Sequence, residues 1–232
     1  REFEDLPHEA VPTDEIMATV SELARLKHVD VFIVSGRRST DMEGWFKGLP
    51  VTLVAEHGFM VLPPRSKTWH FTDPSIDLSW KQKVTKIFSQ YVSTTPGTFI
   101  EEKMSSVVWH FRKADPEFGK WKAQQLIGNV LEILANENVI ATQGQFIVEV
   151  SSNEVNKGAI MRHFMHKGNY KGVVCAGDDK TDEAMFKRSF DPHMISIKVG
   201  KGETFAKYRL SSPRLLRRLL RDIIRGRKRS NG

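Results

Sequence analysis

Short continuous apolar runs alternate with stretches of helical amphipathic spacing, and this rhythm restricts the fold more than any other feature of the chain. Val31-Phe32-Ile33-Val34 closes at Ser35-Gly36, Val51 to Val54 is a second run and residues 172–176 a third, while residues 194–199 read as a further strand. Runs of this length without polar alternation read as strands covered on both faces. Ile16, Met17, Val20, Leu23, Ala24 and Leu26 fall at helical spacing over 13–27, behind Thr13 as a cap. Met42, Trp45 and Phe46 repeat the helical spacing, residues 155–164 read as another helix, a further helix opens at Lys180, and a basic helix ends the chain. Strands that alternate with helices predict an α/β fold: a Rossmann-like parallel sheet flanked by helices.

The texture changes after Pro63-Pro64. Helices are predicted over 79–91 and 118–135 and strands over 98–103, 106–112 and 146–150, and Ser106-Val107-Val108-Trp109-His110-Phe111-Arg112 carries one polar and one apolar face. Such strands belong to an open sheet with one wet side. The expected organisation is therefore a core of residues 1–65 and 152–232, interrupted by an inserted α/β cap of residues 66–151.

At 232 residues, with 40% hydrophobic and 27% charged residues, the chain is suited to a folded core with an inserted unit, and disorder is excluded on composition. Its one cysteine, Cys175, lies in an apolar run and reads as a small buried hydrophobe, so no disulfide framework exists. No apolar stretch is long enough to span a bilayer, and a cytoplasmic setting is expected without a membrane partner. Much of the net charge of +7 sits in Arg214, Arg217, Arg218, Arg221, Arg225, Arg227, Lys228 and Arg229, which read as a solvated helix end; a nucleic-acid partner is not expected.

The strongest chemical signal is Gly177-Asp178-Asp179-Lys180-Thr181-Asp182-Glu183, four acids within six positions where a buried strand gives way to a helix. Ligands gather outside the carboxyl ends of parallel strands, and clustered carboxylates favour a hard cation such as Mg2+. Capping and the helix dipole account for Asp178 and Asp182 singly, but not for the cluster. Ser35-Gly36-Arg37 offers a hydroxyl and backbone amides at another strand end, a ready anion cradle. Lys157, in Asn156-Lys157-Gly158 at a helix start, is placed to offset negative charge on a phosphoryl group.

Strand-end serine, inserted module, lysine, then Gly-Asp-Asp-x-x-Asp resembles motifs two to four of the haloacid dehalogenase-like phosphatases, over nearly the whole chain. Within them Ala55-Glu56-His57-Gly58, Pro96 to Lys103, Val108-Trp109-His110-Phe111-Arg112 and Val148-Glu149-Val150 are together similar to the trehalose-6-phosphate phosphatases. The resemblance implies a Mg2+-dependent hydrolase of trehalose 6-phosphate working through an aspartyl-phosphate. It implies Ser35, Lys157, Asp178 and Asp182 as catalytic groups, with Asp178 and Asp182 holding the metal. It further implies Gly36, Arg37, His57 and Gly58 beside the phosphate, and Glu101, Lys103, Arg112 and Glu149 of a closing cap on the sugar. A fused or associated trehalose-phosphate synthase domain is an implied partner. Gln145 stands where the family often has a basic residue, which places one sugar contact in question. The family's nucleophile motif, Asp-x-Asp-Gly-Thr, should lie upstream of Ser35 and is not in the sequence; neither Asp5 nor Asp14 has it around them. The first dozen residues look like the stretch that follows it, so the chain alone is expected to be inactive. Two other readings stay open: an inactive regulatory domain of a synthase-like protein, and a phosphatase for another sugar phosphate such as sucrose phosphate.

Overall fold

The computed structural model describes residues 11–187 and 193–230. The chain divides into two compact units, Arg1–Thr72 with Asn156–Gly232, and Asp73–Val155.

In the first unit α1 (Asp14–Ala24) leads to β1 (Phe32–Val34), α2 (Ser39–Phe46), β2 (Thr52–Ala55), β3 (Met60–Leu62) and β4 (His70–Phe71). β1 and β2 pair in parallel, whereas β3 and β4 are added antiparallel, giving the order β1-β2-β3-β4. After the second unit the chain returns with α5 (Lys157–Gly168), β9 (Val173–Gly177), the short α6 (Glu183–Phe186), β10 (Met194–Val199), β11 (Tyr208–Leu210) and α7 (Pro213–Ser230). β9, β10 and β11 form an all-parallel sheet in the order β11-β10-β9. The α/β class and the parallel elements stand as expected, but they occupy two sheets rather than one.

β2 is buried throughout, Thr52 together with its apolar neighbours; β1 and β9 are only half-buried, and Val174 is 49% exposed. The expectation that β1 and β9 are covered on both faces is corrected. Each is the end strand of its sheet among the described residues, and Phe32 instead meets Phe164 at 4.5 Å and Tyr170 at 6.2 Å between ring centroids. The predicted helix at Lys180 starts there as one 3-10 turn, Lys180–Asp182, and continues as α6. The basic α7 places Ile224 inward and ties its cations to α1, through Arg221 to Glu15 at 2.7 Å and Lys228 to Glu22 at 3.1 Å. Exposed pairs of this kind contribute at most about 1 kcal/mol each, so the apolar face seats the helix.

The second unit holds α3 (Trp80–Thr94), β5 (Phe99–Glu102), β6 (Ser106–His110), α4 (Pro116–Ile133), β7 (Val139–Gly144) and β8 (Ile147–Ser152). Its sheet is antiparallel, in the order β5-β6-β8-β7. One face is dry: Val107, Trp109, Val148 and Val150 join Trp80, Phe88, Leu126 and Val130 of the helices in one core. Asp115 starts α4 by accepting the Phe118 amide at 2.9 Å, with Pro116 in the first turn, as a helix start favours. The expected borders at 65/66 and 151/152 fall before the observed ones at 72/73 and 155/156. β4 is a ladder partner of β3, and β8 runs on to Ser152, with the Asn153 amide bonded to the Asn138 carbonyl. Among the described residues no helix is long and apolar enough to cross a membrane.

Candidate active site

The acidic loop is built by Asp182. This residue is 5% exposed, and its Oδ2 accepts the amides of Asp178 and Asp179, each at 2.9 Å. Its Oδ1 accepts the Lys157 ammonium at 2.6 Å, and Lys157 is itself 5% exposed at the start of α5, where Asn156 caps the helix through the Ala159 amide. A carboxylate and an ammonium so buried are tolerated only as a pair with their remaining hydrogen bonds met. Gly177 is required by this packing, since a Cβ there would overlap the Asp182 carboxyl group. Asp178 and Asp182, four residues apart, and Lys157, 25 residues before Asp182, are thus one connected group.

The carboxylates of Asp178, Asp179 and Asp182 lie with ligand oxygens within 4.8 Å of one another. Burial, then the charge of Asp178, raises the Asp179 carboxyl above the usual range, although its exposed surface lets solvent screen part of that effect. Crowded oxygen donors whose mutual repulsion a cation would relieve fit Mg2+. Asp182 is an expected ligand whose oxygens are here taken up by Lys157 and two amides; Asp178 and Asp179 are the exposed members. Asp179 was missed by sequence reasoning, although its place beside Asp178 was signal enough.

Ser35 lies directly beyond β1. Its Oγ accepts the Arg37 amide at 3.2 Å and its carbonyl accepts the His57 amide at 2.9 Å. The His57 ring packs so closely on Gly36 that a Cβ there would overlap it, and His57 holds the left-handed backbone (φ 61°) in a 3-10 turn, Glu56–Gly58. Gly58 continues the link: a Cβ on it would come within 3.0 Å of Ile160 and 3.4 Å of the Asn156 carbonyl oxygen. Ser35, Gly36, His57 and Gly58 therefore connect to the start of α5, where Lys157 stands. The Arg37 guanidinium lies 4.8 Å over the Trp45 ring.

In the second unit the ladder register places Glu101 and Glu149 on the sheet face opposite the dry core. Glu149 accepts Ser106 Oγ at 2.7 Å and Lys103 Nζ at 3.2 Å, and Glu101 meets His110 Nε2 at 2.8 Å. His110 stacks on Phe99 with ring centroids 4.4 Å apart. Arg112, beyond the end of β6, lies over the Phe146 ring at 5.2 Å. Ser106 and His110 are the members sequence reasoning missed; the period-two alternation of 106–110 puts both on the polar side.

Cys175 tests the burial of β9. Burial, reinforced by the Asp182 charge, pushes its thiol up to about 12. Its iodoacetamide reaction in the native protein is expected to keep rising with pH past the point, near 9.0, at which the unfolded chain levels off. A native plateau near that lower pH would place the thiol in water.

A strand-end acidic loop on a parallel sheet, joined to a buried lysine, is the arrangement expected from the order of the sequence motifs. A haloacid dehalogenase-like hydrolase from Bacteroides thetaiotaomicron shares the fold at a TM-score of 0.69 and 9% identity, over 91% of this chain and 92% of that one. The trehalose-phosphatase family model matches residues 1–214, and the chain belongs to that family. It is 36% identical over 217 residues to the bifunctional trehalose-6-phosphate synthase/phosphatase of Thermoproteus tenax, covering 94% of this chain and 29% of the relative. It is 37% identical over 181 residues to the trehalose-phosphatase of Schizosaccharomyces pombe, covering 77% of this chain and 21% of the relative. The chain thus spans under a third of the length of these relatives. The C-terminal domain of Candida albicans trehalose-6-phosphate phosphatase superimposes at a TM-score of 0.86 with 29% identity, over 96% of this chain and 87% of that one.

Proposed function

We propose that this chain is the phosphatase domain that hydrolyses trehalose 6-phosphate to trehalose and inorganic phosphate, within a protein that also carries a synthase-like region. The observation that carries the reading is the buried Lys157–Asp182 pair, closing a loop on which two further carboxylates are exposed, in a chain matched to the trehalose-phosphatase family over 1–214. The name of the Thermoproteus tenax relative, which pairs synthase with phosphatase, supports the fused partner.

In this reading the first aspartate of the Asp-x-Asp-Gly-Thr motif attacks phosphorus as the bond to the sugar oxygen breaks, and the motif's second aspartate gives that oxygen its proton and later takes one from the hydrolytic water. Water then hydrolyses the aspartyl-phosphate. Ser35 Oγ already accepts the Arg37 amide, which leaves its own hydrogen to donate to a phosphoryl oxygen. Lys157 gives one hydrogen to Asp182 and has two more for the phosphoryl group and the nucleophile. Mg2+, held through Asp178 with Asp179 or Asp182, would supply charge neutralisation on the transferring oxygens. The polar face of the Asp73–Val155 unit, with Glu101, Lys103 and Glu149, supplies acceptors and a cation for sugar hydroxyls, and Arg112 adds a second cation. A sugar of another hydroxyl pattern offers these groups fewer hydrogen bonds.

The test is phosphate release by the full-length protein from trehalose 6-phosphate, sucrose 6-phosphate and glucose 6-phosphate. Trehalose 6-phosphate is expected to lead in kcat/KM by about 100-fold or more. Chelation should abolish the activity and added Mg2+ restore it. Release no greater than that of Asp178→Asn would reject the reading; trehalose 6-phosphate bound but not hydrolysed would make the domain regulatory.

A further inference from the structure

A second buried lysine stands behind the acidic loop, and nothing in the chemistry above uses it. Lys198, in β10, is 4% exposed and lies opposite Gly177 in the β9–β10 register. Its Nζ donates to the Asp178 carbonyl at 2.7 Å and lies 3.2 Å from Glu183 Oε1. Glu183 Oε1 is buried without an aligned hydrogen bond, so the contact with Glu183 is electrostatic and the directed bond of Lys198 goes to Asp178. The other oxygen of Glu183 accepts the Phe205 amide at 2.9 Å and the Thr204 hydroxyl at 3.1 Å. Glu183 therefore cannot swing away from Lys198 without releasing the Thr204–Phe205 loop.

The consequence falls on the backbone of Asp178. Its amide is held by Asp182 and its carbonyl by Lys198, each from a residue at most 5% exposed. A main chain fixed at both ends fixes the direction of its Cα–Cβ bond, and so the aim of the exposed carboxylate. A free ammonium at such burial would cost several kcal/mol; the loop carbonyl and Glu183 are what keep it there.

We propose that Lys198, steadied by Glu183, is a positioning residue: it sets the Asp178 main chain so that the carboxylate is aimed at a divalent cation, while its own side chain touches neither cation nor substrate. The proposal rests on the phosphatase reading for its kinetic consequence, but the binding of the cation can be read without substrate. Mn2+ binding to the full-length protein, followed by the electron paramagnetic resonance of the free ion, is compared for wild type, Lys198→Met, Lys198→Arg and Glu183→Gln. The same variants are then assayed at saturating Mg2+, with thermal unfolding as a check on the fold.

Lys198→Met is expected to weaken Mn2+ about tenfold or more and to lower kcat with little change in KM for the sugar phosphate. Lys198→Arg, which can still donate to the carbonyl, should recover most of the Mn2+ affinity. Glu183→Gln, which keeps an acceptor for Phe205 but loses the charge, should fall between them. A folded Lys198→Met that binds Mn2+ like wild type overturns the proposal, as does a wild type that binds no Mn2+. If Lys198→Met does not fold, Glu183→Gln decides: unchanged Mn2+ affinity overturns the proposal, and weakened affinity supports it. A wild type that binds Mn2+ yet releases no phosphate sinks the phosphatase reading and leaves the metal-binding comparison to judge the positioning.

Discussion

Lys157→Met is expected to lower stability by about 3–5 kcal/mol, the usual cost of stripping one partner from a buried ion pair, and to abolish phosphate release by the full-length protein. The size follows from what is left behind. Asp182 stays 5% exposed with one oxygen still accepting two amides, while the oxygen that faced Lys157 loses its counter-charge at 2.6 Å. The carboxylate must then bind a proton, draw in water or move, and the last of these releases the Asp178 and Asp179 amides. Asp182→Asn alone leaves the lysine unpaired in the same place, but the double variant removes both charges. Its loss should therefore fall short of the sum of the single losses by at least about 1 kcal/mol, as groups in direct contact do. Urea unfolding of the four proteins measures this; additive losses would mean that the pair is not coupled in solution.

The fold was legible where one run of sequence answers one question. β2 is buried along its whole length, as the largely apolar run Val51 to Val54 implies, whereas the 106–110 alternation tells which β6 side chains share a face but not their exposure, since Ser106 to Trp109 are all buried. β3, β4, β7 and β11 were not foreseen. His70–Phe71 and Tyr208–Leu210 are short segments whose strand character comes from a neighbour's ladder and not from their own pattern. β7, Val139–Gly144, carries the exposed Gln143 and Gly144 on an edge, where hydrophobic periodicity is weakest.

The candidate site divides in the same way. Asp178, Asp182 and Lys157 could be read from residue type and order, because clustered acids and a lysine at a helix start are local signals. That Lys157 and Asp182 bond to each other, while Asp182 spends its other oxygen on the loop amides, is a matter of packing across 25 residues of sequence. Lys198 was invisible for the same reason, since its partners cannot be read until β10 is laid beside β9, and Glu183, counted among the clustered acids, gave no sign that it faces Lys198. The alternation of 106–110 put Ser106 and His110 on one side, but their partners came only with the hairpin register that pairs Phe99 with His110 and Lys103 with Ser106.

Gly177→Ala should be damaging out of proportion to one methyl group. The added Cβ would fall on the Asp182 side chain, at Cβ, Cγ and Oδ2, in a place where Asp182 is fixed by three hydrogen bonds. Either the carboxylate shifts and frees the amides of Asp178 and Asp179, or β9 moves away from β10, to which Gly177 is paired at Lys198. Both routes disturb the aim of Asp178. An overpacked site of this kind costs about 1–3 kcal/mol, and cation binding and phosphate release by the full-length protein should each fall about 100-fold, since misplacement of about 1 Å has that effect. Gly128→Ala is the matched comparison: on exposed α4, with nothing within 4 Å of the new methyl group, it should raise stability by about 0.5–1 kcal/mol and leave activity unchanged. Opposite signs for the same chemical change would tie the effect to the Asp182 contact; a Gly177→Ala protein as stable and active as wild type would show that the loop yields, and that its geometry is not what sets the chemistry.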